Sequence, residues 1–255
     1  MTLSHRILNP EIPDPSARRL CALGIMTKAP RAGSVKTRLV PPLTADEAAG
    51  LNVCFLRDTA ATIVEAGGAS SQGIGVFTPV GAESAYIDIL PESFDLIPQR
   101  GAGFGERLAF AVEDLFRVGF HSVCLIDSDS PTVPTANYAE AANVLANRRA
   151  DVVLGPSDDG GYYLIGVTKN HRGLFEDVDW STERVLDQTM RRAKELDLTV
   201  HLLPRCYDVD DRQTLRRLCD ELLRENFSEN IAPETRRFLS AIVQCEGRER
   251  IWPNE

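Results

Sequence analysis

Residues 20–26 read LCALGIM, a nearly continuous apolar run that gives way to a basic segment containing glycine and proline. This pattern is typical of a β-strand buried on both faces, as in a parallel sheet that helices cover on both sides. Similar short runs recur along the chain and predict further strands at residues 73–77, 122–126, 151–154, 162–167 and 198–203.

The segments between these runs have helical spacing. Thr44 followed by Glu47 is a capping-box signature, and the helix after it carries Ala48, Leu51 and Phe55 on one face. Because parallel strands need helix-length connections, the alternation predicts a three-layer α/β/α fold with a mainly parallel twisted sheet and C-terminal helices. The other predicted helices lie around residues 108–116, 135–147, 181–190, with Ser181 as the expected N-cap, and 211–243.

The chain has 255 residues, of which 43% are hydrophobic and 25% charged, and this suffices for one domain with a large core. Three parts are expected: a flexible N-terminal arm at residues 1–19, the main α/β domain at residues 20–215, and a helical extension at residues 216–255 packed on the same domain. The arm lacks the apolar centre of a secretion signal, and no apolar run reaches the roughly 20 residues that span a bilayer. The sequence therefore predicts a soluble, cytoplasmic protein without a membrane span.

The charge of the chain excludes some classes of partner. Its formal net charge of -9 repels nucleic-acid phosphates and anionic lipid, so neither is an expected partner. One basic cluster stands against this background, formed by Lys28, Arg31, Lys36 and Arg38. A cluster this small suits one polyphosphate better than a duplex. The six cysteines have no metal-ligand spacing and are interpreted as small core residues.

The basic cluster follows the first predicted strand. In open sheets of this kind, ligands bind beyond the carboxyl ends of the strands. Gly33 allows the backbone to approach a ligand closely, and the lysines and arginines around it offer point-charge and bidentate contacts to phosphate oxygens. The glycine spacing does not match a Walker A loop, and a solvated basic loop is the alternative interpretation.

An acidic pair follows the strand predicted at residues 122–126. Asp127 and Asp129 are one residue apart, and Pro131 favours a bend directly after them. Two carboxylates on such a bend can converge on one hard cation. Surface charge is the alternative, and the position after a buried strand favours the metal site.

Two further acidic loops follow later strands. Asp159 precedes Gly160 and Gly161 in a turn that can present a carboxylate and backbone N–H groups to a ligand, and residues 208–211 precede the C-terminal helices. Each has a plain alternative, the backbone demands of a tight turn in the first case and helix capping in the second. One basic loop and three acidic strand ends can together bind a polyphosphate and its metal ion.

These motifs in combination resemble those of the bacterial transferases described as radical-SAM/selenodomain-associated. That family is similar to 2-phospholactate guanylyltransferase and belongs to the nucleotide-diphospho-sugar transferase superfamily. The resemblance implies the GT-A fold and a nucleotide-binding transferase domain at residues 20–215. It is carried by residues 26–39, 105–108, 127–131, 155–166, 180–182 and 208–210.

The resemblance also implies roles for single residues. Asp129 matches the aspartate that holds a divalent ion, Mg²⁺ or Mn²⁺, and Asp210 matches the aspartate that completes that site. Asp127 departs from the pattern, since many relatives have glycine there, and it is a candidate metal ligand on its own position after the strand. The catalytic residues that it implies are Lys36, Arg38 and Asp159. The residues implied to contact phosphate or nucleotide are Lys28, Arg31, Gly33, Lys36, Thr37, Arg38, Gln99, Gly105 and Arg107.

Three functions are compatible with these residues. The first hypothesis is nucleotidyl transfer from a nucleoside triphosphate to a small phosphorylated acceptor, with release of pyrophosphate. The alternative is glycosyl transfer from a nucleotide-sugar, in which Asp127 and Asp129 act as a pair on a diphosphate and Asp159 is a base toward the acceptor hydroxyl. A nucleotide-binding module without catalytic activity is the third.

Overall fold

The structure is a computed structural model that describes residues 5–224, 228 and 230–251. The strands are β1 (Cys21–Lys28), β2 (Ser71–Thr78), β3 (Asp95–Pro98), β4 (Ser122–Ile126), β5 (Val152–Pro156), β6 (Tyr162–Val167) and β7 (Val200–Leu202). The helices are α1 (Ala45–Gly67), α2 (Phe104–Val118), α3 (Thr135–Ala146), α4 (Val185–Glu195), α5 (Arg212–Leu222), α6 (Pro233–Glu246) and α7 (Arg248–Ile251). Within the described ranges, no helix is long and apolar enough to cross a membrane.

The seven strands form one sheet in the order β3-β2-β1-β4-β6-β5-β7. Strand β6 runs antiparallel to its neighbours β4 and β5, and all the other neighbouring pairs are parallel. The predicted α/β fold with a mainly parallel sheet is therefore confirmed.

The apolar run that begins the sheet is buried on both faces, as its pattern predicts. Leu23 and Ile25 belong to one core cluster together with Leu56 of α1. Ala22 points to the other face and belongs to a second cluster with Val112 of α2. Since neighbouring residues of a strand face opposite sides of the sheet, helices are needed on both sides to cover them.

The N-terminal segment contacts the sheet from residue 6 onward, although the sequence predicts a flexible arm. The backbone N–H of Leu8 donates to the carbonyl oxygen of Leu96 in β3 at 2.8 Å, and Leu8 is buried. Arg6 pairs with Asp95 at 2.6 Å and with Asp14 at 2.7 Å. These contacts tie the segment to the edge strand; residues 1–4 lie outside the described residues.

Two further details differ from the predictions. Strand β3 is not predicted from the sequence, because its four residues, DLIP, include a charged residue and a proline. Ser181 does not cap α4, which begins at Val185 with Arg184 in the N-cap position. Ser181 instead has a left-handed backbone, φ 65°, in the loop before the helix.

The C-terminal helices pack on α1 and form a third core cluster. Leu218 of α5 and Leu239 of α6 are buried there with Leu51 and Phe55. Asp58, a buried residue of α1, accepts hydrogen bonds from the N–H groups of Glu234 and Thr235 (3.0 and 2.9 Å) and from the Thr235 hydroxyl (2.6 Å). Asp58 thus caps the N-terminus of α6 from a neighbouring helix, where a negative charge is favourable. The predicted extension, residues 216–255, lies partly outside the described residues.

We expect Asp58→Ala to lower the free energy of unfolding by about 2–3 kcal/mol, because it leaves buried donors of α6 without an acceptor. Urea denaturation measures this change. The control is Asp46→Ala, an exposed aspartate in the first turn of α1, which should cost less than about 1 kcal/mol. Equal losses for the two variants would contradict the capping role.

Candidate functional site

The loops that follow β1, β4, β5 and β7 meet at one edge of the sheet. They line two neighbouring cavities, a larger one of about 490 Å³ and a smaller one of about 240 Å³. Arg38, Asp129 and Asp210 belong to the walls of both. The sequence predicts this meeting, because the carboxyl ends of parallel strands lie at the same edge.

Lys36 connects three of these loops. Its ammonium group lies 2.8 Å from Oδ1 of Asp129 and 2.9 Å from Oδ1 of Asp210, and it donates to the carbonyl oxygen of Val209 at 2.7 Å. The side chain is only 5% exposed and lies over the ring of Phe55, 5.5 Å from its centre. The cation is therefore fixed between the two carboxylates that the sequence predicts as metal ligands.

The loop after β1 bends sharply to bring Lys36 into this position. Gly33 and Lys36 have left-handed backbones, with φ of 72° and 48°. A left-handed conformation is easy for glycine and uncommon for lysine, so the three contacts of the ammonium group must compensate for it. Thr37 follows directly and begins a short 3-10 helix, Thr37–Leu39.

Burial and charge act in opposite directions on the Lys36 ammonium. Burial is the larger single influence and lowers its pKa, because it disfavours the charged form. The charges and hydrogen bonds of Asp129 and Asp210 together outweigh burial, so the pKa of Lys36 is raised above its usual value. The lysine is therefore a cation throughout the physiological range.

The two aspartates after β4 have different environments. The carboxylate of Asp127 accepts hydrogen bonds from the Ser130 hydroxyl at 2.7 Å and from the N–H of Asp129 at 3.3 Å. Burial, followed by the neighbouring charge of Asp129, raises the pKa of Asp127 well above its ordinary value. Asp129 instead faces Lys36 and accepts from the Ser128 hydroxyl at 3.1 Å. The two aspartates predicted to bind one cation therefore have different partners. Asp127 is hydrogen-bonded within its own turn, whereas Asp129 forms an ion pair with Lys36.

The larger cavity, called the acidic cleft below, carries an excess of carboxylates. Asp208 accepts a hydrogen bond from the Ser157 hydroxyl at 2.9 Å, and burial, with the charge of Asp159, raises the pKa of Asp208. Asp159 is exposed and accepts from the N–H of Gly161 at 2.8 Å. The acidic residues that line the cleft are Asp127, Asp129, Asp159, Glu183, Asp208, Asp210 and Asp211.

One wall of the acidic cleft is aromatic. The ring of Trp180 meets those of Phe104 and Tyr162 edge to face, with centres 5.5 and 6.5 Å apart. Trp180 also packs directly on Gly105, where any Cβ atom would overlap the indole ring. The cleft thus combines aromatic rings with carboxylates, a combination suited to an organic group that carries hydroxyls.

The smaller cavity, called the basic compartment below, collects the cations of the loop after β1. The ammonium group of Lys28 donates to the carbonyl oxygen of Ser34 at 3.1 Å, and Arg38 is 77% exposed and lies 3.7 Å from Asp210. The residues that line the compartment are Lys28, Ser34, Val35, Lys36, Thr37, Arg38, Asn52, Ser128, Asp129 and Asp210.

Several predicted nucleotide contacts lie outside both cavities. The Gln99 amide donates to the carbonyl oxygens of Thr27 and Val76, at 3.1 and 2.7 Å, and so ties strand ends together. Arg31 is exposed in the loop after β1, and Arg107 donates to the carbonyl oxygen of Gly101 at 3.4 Å. Gly33 and Gly105 contribute through backbone shape and packing, as described above. The other predicted site residues do line one or both of the two cavities. They are Lys28, Lys36, Thr37, Arg38, Asp127, Asp129, Asp159 and Asp210.

Some cavity residues are not predicted from the sequence. Asp208 lies in the acidic run at residues 208–211, so its type and place were visible in the sequence, but not its hydrogen bond to Ser157. Asn52 lines the basic compartment, and its signal is a polar residue within the buried part of α1. Trp180 belongs to residues 180–182, which carry the family resemblance, but its place in a cleft wall could not be predicted because it depends on packing against Gly105 of α2.

The residues of the site are compatible with a divalent cation. Within the described ranges, no group of three or more His, Cys, Asp or Glu side chains is arranged to hold a metal by itself. Mg²⁺ bound together with substrate phosphates needs only one or two carboxylates, since phosphate and water oxygens complete its shell. Asp129 and Asp210 share one cationic group already, so these two carboxylates fit such an ion.

Similarity to other proteins agrees with the fold. A family model described as "Uncharacterized protein conserved in bacteria (DUF2064)" matches residues 63–182. The structure of a candidate nucleotide-diphospho-sugar transferase from Desulfovibrio desulfuricans G20 is similar with a TM-score of 0.77 and 27% identity, over 88% of this chain and 97% of that one. No curated protein matches the sequence.

Two more distant structures share the fold alone. A 4-diphosphocytidyl-2C-methyl-D-erythritol synthase from Anaerococcus prevotii DSM 20548 has a TM-score of 0.53 at 11% identity, over 81% of this chain and 99% of that one. A CMP:2-keto-3-deoxy-manno-octonic acid synthetase complexed with CTP has a TM-score of 0.51 at 8% identity, over 78% of this chain and 96% of that one. The sheet order and the likeness to the 27% identical Desulfovibrio structure confirm the nucleotide-diphospho-sugar transferase type of fold.

We expect Gly105→Ala to displace Trp180 and to lower the free energy of unfolding by about 1–3 kcal/mol, as other overpacked sites do. Tryptophan fluorescence reports the displacement and urea denaturation the stability. Gly103→Ala is the matched control, because a Cβ atom at Gly103 meets no atom within 4 Å. Unchanged emission and stability in Gly105→Ala would contradict the packing described for the aromatic wall.

Proposed function

We propose that this protein is a metal-dependent nucleotidyltransferase that uses a nucleoside triphosphate and releases pyrophosphate. The observation that carries the proposal is the position of Lys36, a buried cation held by Asp129 and Asp210 at the boundary between a basic and an acidic cavity. In this proposal the α-phosphate lies at that boundary, with the leaving phosphates and the attacking acceptor roughly in line on opposite sides of it.

The basic compartment is the proposed site of the leaving pyrophosphate. Lys28, Lys36 and Arg38 supply positive charge there, and charge on the leaving group grows as the reaction proceeds. When bound, a divalent ion, Mg²⁺ or Mn²⁺, would be held by Asp129 and Asp210 and would neutralise phosphate oxygens. Catalysis in this proposal consists of positioning and charge neutralisation, without a covalent intermediate on the protein.

In the proposed step, an oxygen of the acceptor forms a bond to the α-phosphorus while the bond from that phosphorus to the β-phosphate bridging oxygen breaks. The bond electrons leave with pyrophosphate. A phosphorylated acceptor attacks through an oxygen that is already ionised at neutral pH, so no side chain has to remove its proton. Asp159, exposed in the acidic cleft, is the proposed residue for orienting the acceptor.

Glycosyl transfer from a nucleotide-sugar is the second candidate, and the position of Asp159 favours it, since an exposed carboxylate can serve as a base toward a hydroxyl. The environment of Asp127 counts against it. A pair acting on one diphosphate needs both carboxylates free to face the cation, whereas Asp127 accepts two hydrogen bonds within its own turn. The 27% identical protein from Desulfovibrio desulfuricans G20, named for sugar transfer, supports a nucleotide-linked transferase in either case.

Incubation with labelled nucleoside triphosphates, Mg²⁺ and a panel of small phosphates and polyols tests the proposal. We expect pyrophosphate to be released with at least one pairing. We also expect Lys36→Met to lower the rate on the order of 10²–10³-fold, by analogy with the loss of one charged transition-state contact. The control is Lys169→Met, an exposed lysine after β6, which should leave the rate unchanged.

A parallel incubation replaces the triphosphates with labelled nucleotide-sugars. Sugar transfer in that incubation, with no pyrophosphate released from any triphosphate, would favour the second candidate. Nucleotide binding without turnover across the whole panel would contradict both reactions and indicate a non-catalytic nucleotide-binding module. Equal rates for the Lys36 variant and the wild type would remove Lys36 from the reaction.

The affinity for a metal ion should depend on whether the Lys36 ammonium group lies between Asp129 and Asp210. Without nucleotide, the Lys36 ammonium occupies the space between Asp129 and Asp210, so the wild type should bind Mn²⁺ alone weakly. We expect Lys36→Met to bind Mn²⁺ alone about tenfold more tightly, because the competing cation is gone and the two carboxylates repel each other. Calorimetry measures the affinity, and Asp129→Ala in the same background should abolish the gain. Equal Mn²⁺ affinity in the wild type and in Lys36→Met would contradict the interpretation that the ammonium group and the metal ion compete for the space between Asp129 and Asp210.

A further inference from the structure

Five of the seven acidic residues that line the acidic cleft already have a partner in the protein. The partner is the Lys36 ammonium group, a serine hydroxyl or the N-terminal turn of α5, and the five are Asp127, Asp129, Asp208, Asp210 and Asp211. The other two, Asp159 and Glu183, are exposed and have no ion pair within the described ranges. Arg184, the cation next to Glu183 in the chain, pairs with Asp179 at 3.0 Å.

Asp159 and Glu183 belong to two loops that contact each other. The backbone N–H of Leu186 donates to the carbonyl oxygen of Gly160 at 2.9 Å. Gly160 has a left-handed backbone, φ 88°, and packs so closely on the backbone of Glu183 that any Cβ atom would overlap it. Both carboxylate residues line the acidic cleft. Two unpaired carboxylates in one cavity repel each other and attract a cationic group.

The same cavity offers aromatic rings to such a group. Trp180 lies three residues before Glu183 in the same loop, and Phe104 of the aromatic wall is 50% exposed, although phenylalanine is usually buried. A positively charged nitrogen is attracted to the face of an aromatic ring, and most strongly to that of tryptophan. Among the described residues that line the cleft, Arg38 is the one cation, and it lies 3.7 Å from Asp210. The lining therefore favours a ligand group with positive charge over a neutral or anionic one.

We propose that the acceptor is a small phosphate that also carries an ammonium group, and that Asp159, Glu183 and the aromatic wall bind this ammonium group. The inference rests on the proposed function and adds the chemical class of the acceptor. The acceptor phosphate still supplies the oxygen that attacks the α-phosphorus, and the ammonium group keeps its protons throughout. Its positive charge offsets the repulsion between the acceptor phosphate and the carboxylates of the cleft, and its pairing with Asp159 orients the acceptor.

Two ligands that differ only in this group test the inference, 2-aminoethyl phosphate and 2-hydroxyethyl phosphate. Calorimetric titration of the full chain at low ionic strength measures both affinities, in Mg²⁺ with and without a non-hydrolysable nucleoside triphosphate. We expect the aminoethyl compound to bind about tenfold more tightly than the hydroxyethyl compound, because only the first carries a charge complementary to the cleft. This preference should weaken at high salt, which screens exposed charges.

Variants show where the preference arises. We expect Asp159→Asn and Glu183→Gln together to bring the two affinities within about twofold of each other, because an amide keeps the shape of the side chain without its charge. If the double variant does not fold, each single variant should lower the preference about threefold. Phe104→Leu should weaken binding of the aminoethyl compound alone by about threefold, through the loss of a cation–π contact. The control is Asp187→Asn, an exposed carboxylate in the first turn of α4 that lines neither cavity, which should keep the wild-type preference.

Equal affinity of the wild type for the two ligands would overturn the inference. So would a preference that survives in the Asp159 and Glu183 variants, or one that is lost equally in Asp187→Asn. Failure of the proposed function gives a different result. A preference that depends on Asp159 and Glu183, without pyrophosphate release from any triphosphate, would support the ammonium site and overturn the transfer reaction. Pyrophosphate release as fast with the hydroxyethyl compound as with the aminoethyl compound would support the transfer reaction and overturn the acceptor class.

Discussion

The ammonium group of Lys36 joins parts of the chain that are far apart in sequence. Its contacts reach the loop after β4 through Asp129 and the segment before α5 through Val209 and Asp210. Without a cation at this point, two carboxylates would face each other across a small gap, and their repulsion would separate the loops. The backbone hydrogen bond from Val209 to the carbonyl oxygen of Asp129, 2.9 Å long, depends on the same approach. The geometry of both cavities therefore follows from one buried cation.

The sheet determines why these loops are neighbours at all. Strands β1 and β4 are adjacent and parallel, so the loops that follow them leave the sheet side by side. Strand β6 lies between β4 and β5 and is antiparallel to both, so β5 runs in the same direction as β4. The turn with Asp159, which joins β5 to β6, therefore lies at the same edge. As a result, the basic compartment collects the cations of the loop after β1 and the acidic cleft collects the larger number of carboxylates, while Arg38, Asp129 and Asp210 line both cavities. This separation of charge is the structural basis of the proposed division between leaving phosphates and acceptor.

The sequence is informative where one local property determines the outcome. The strand at residues 20–26 and the helix capped by Thr44 follow from apolar periodicity and from a capping motif, and both are present. Strand β3 has no such property, because its pairing depends on β2 and on an N-terminal segment that precedes it by about 90 residues. The meeting of acidic and basic loops could be predicted, since the carboxyl ends of parallel strands share an edge. The partners of Lys36 and Gln99 could not, because each contact joins residues whose distance is fixed only by tertiary packing.

The most direct test of the central claim is a crystal structure with Mn²⁺ and a non-hydrolysable nucleoside triphosphate, in which anomalous scattering locates the metal. We expect a manganese peak between Asp129 and Asp210, the two terminal phosphates in the basic compartment, and the Lys36 ammonium group moved from the carboxylates onto phosphate oxygens. A metal held elsewhere, with Lys36 still bridging Asp129 and Asp210, would contradict the account.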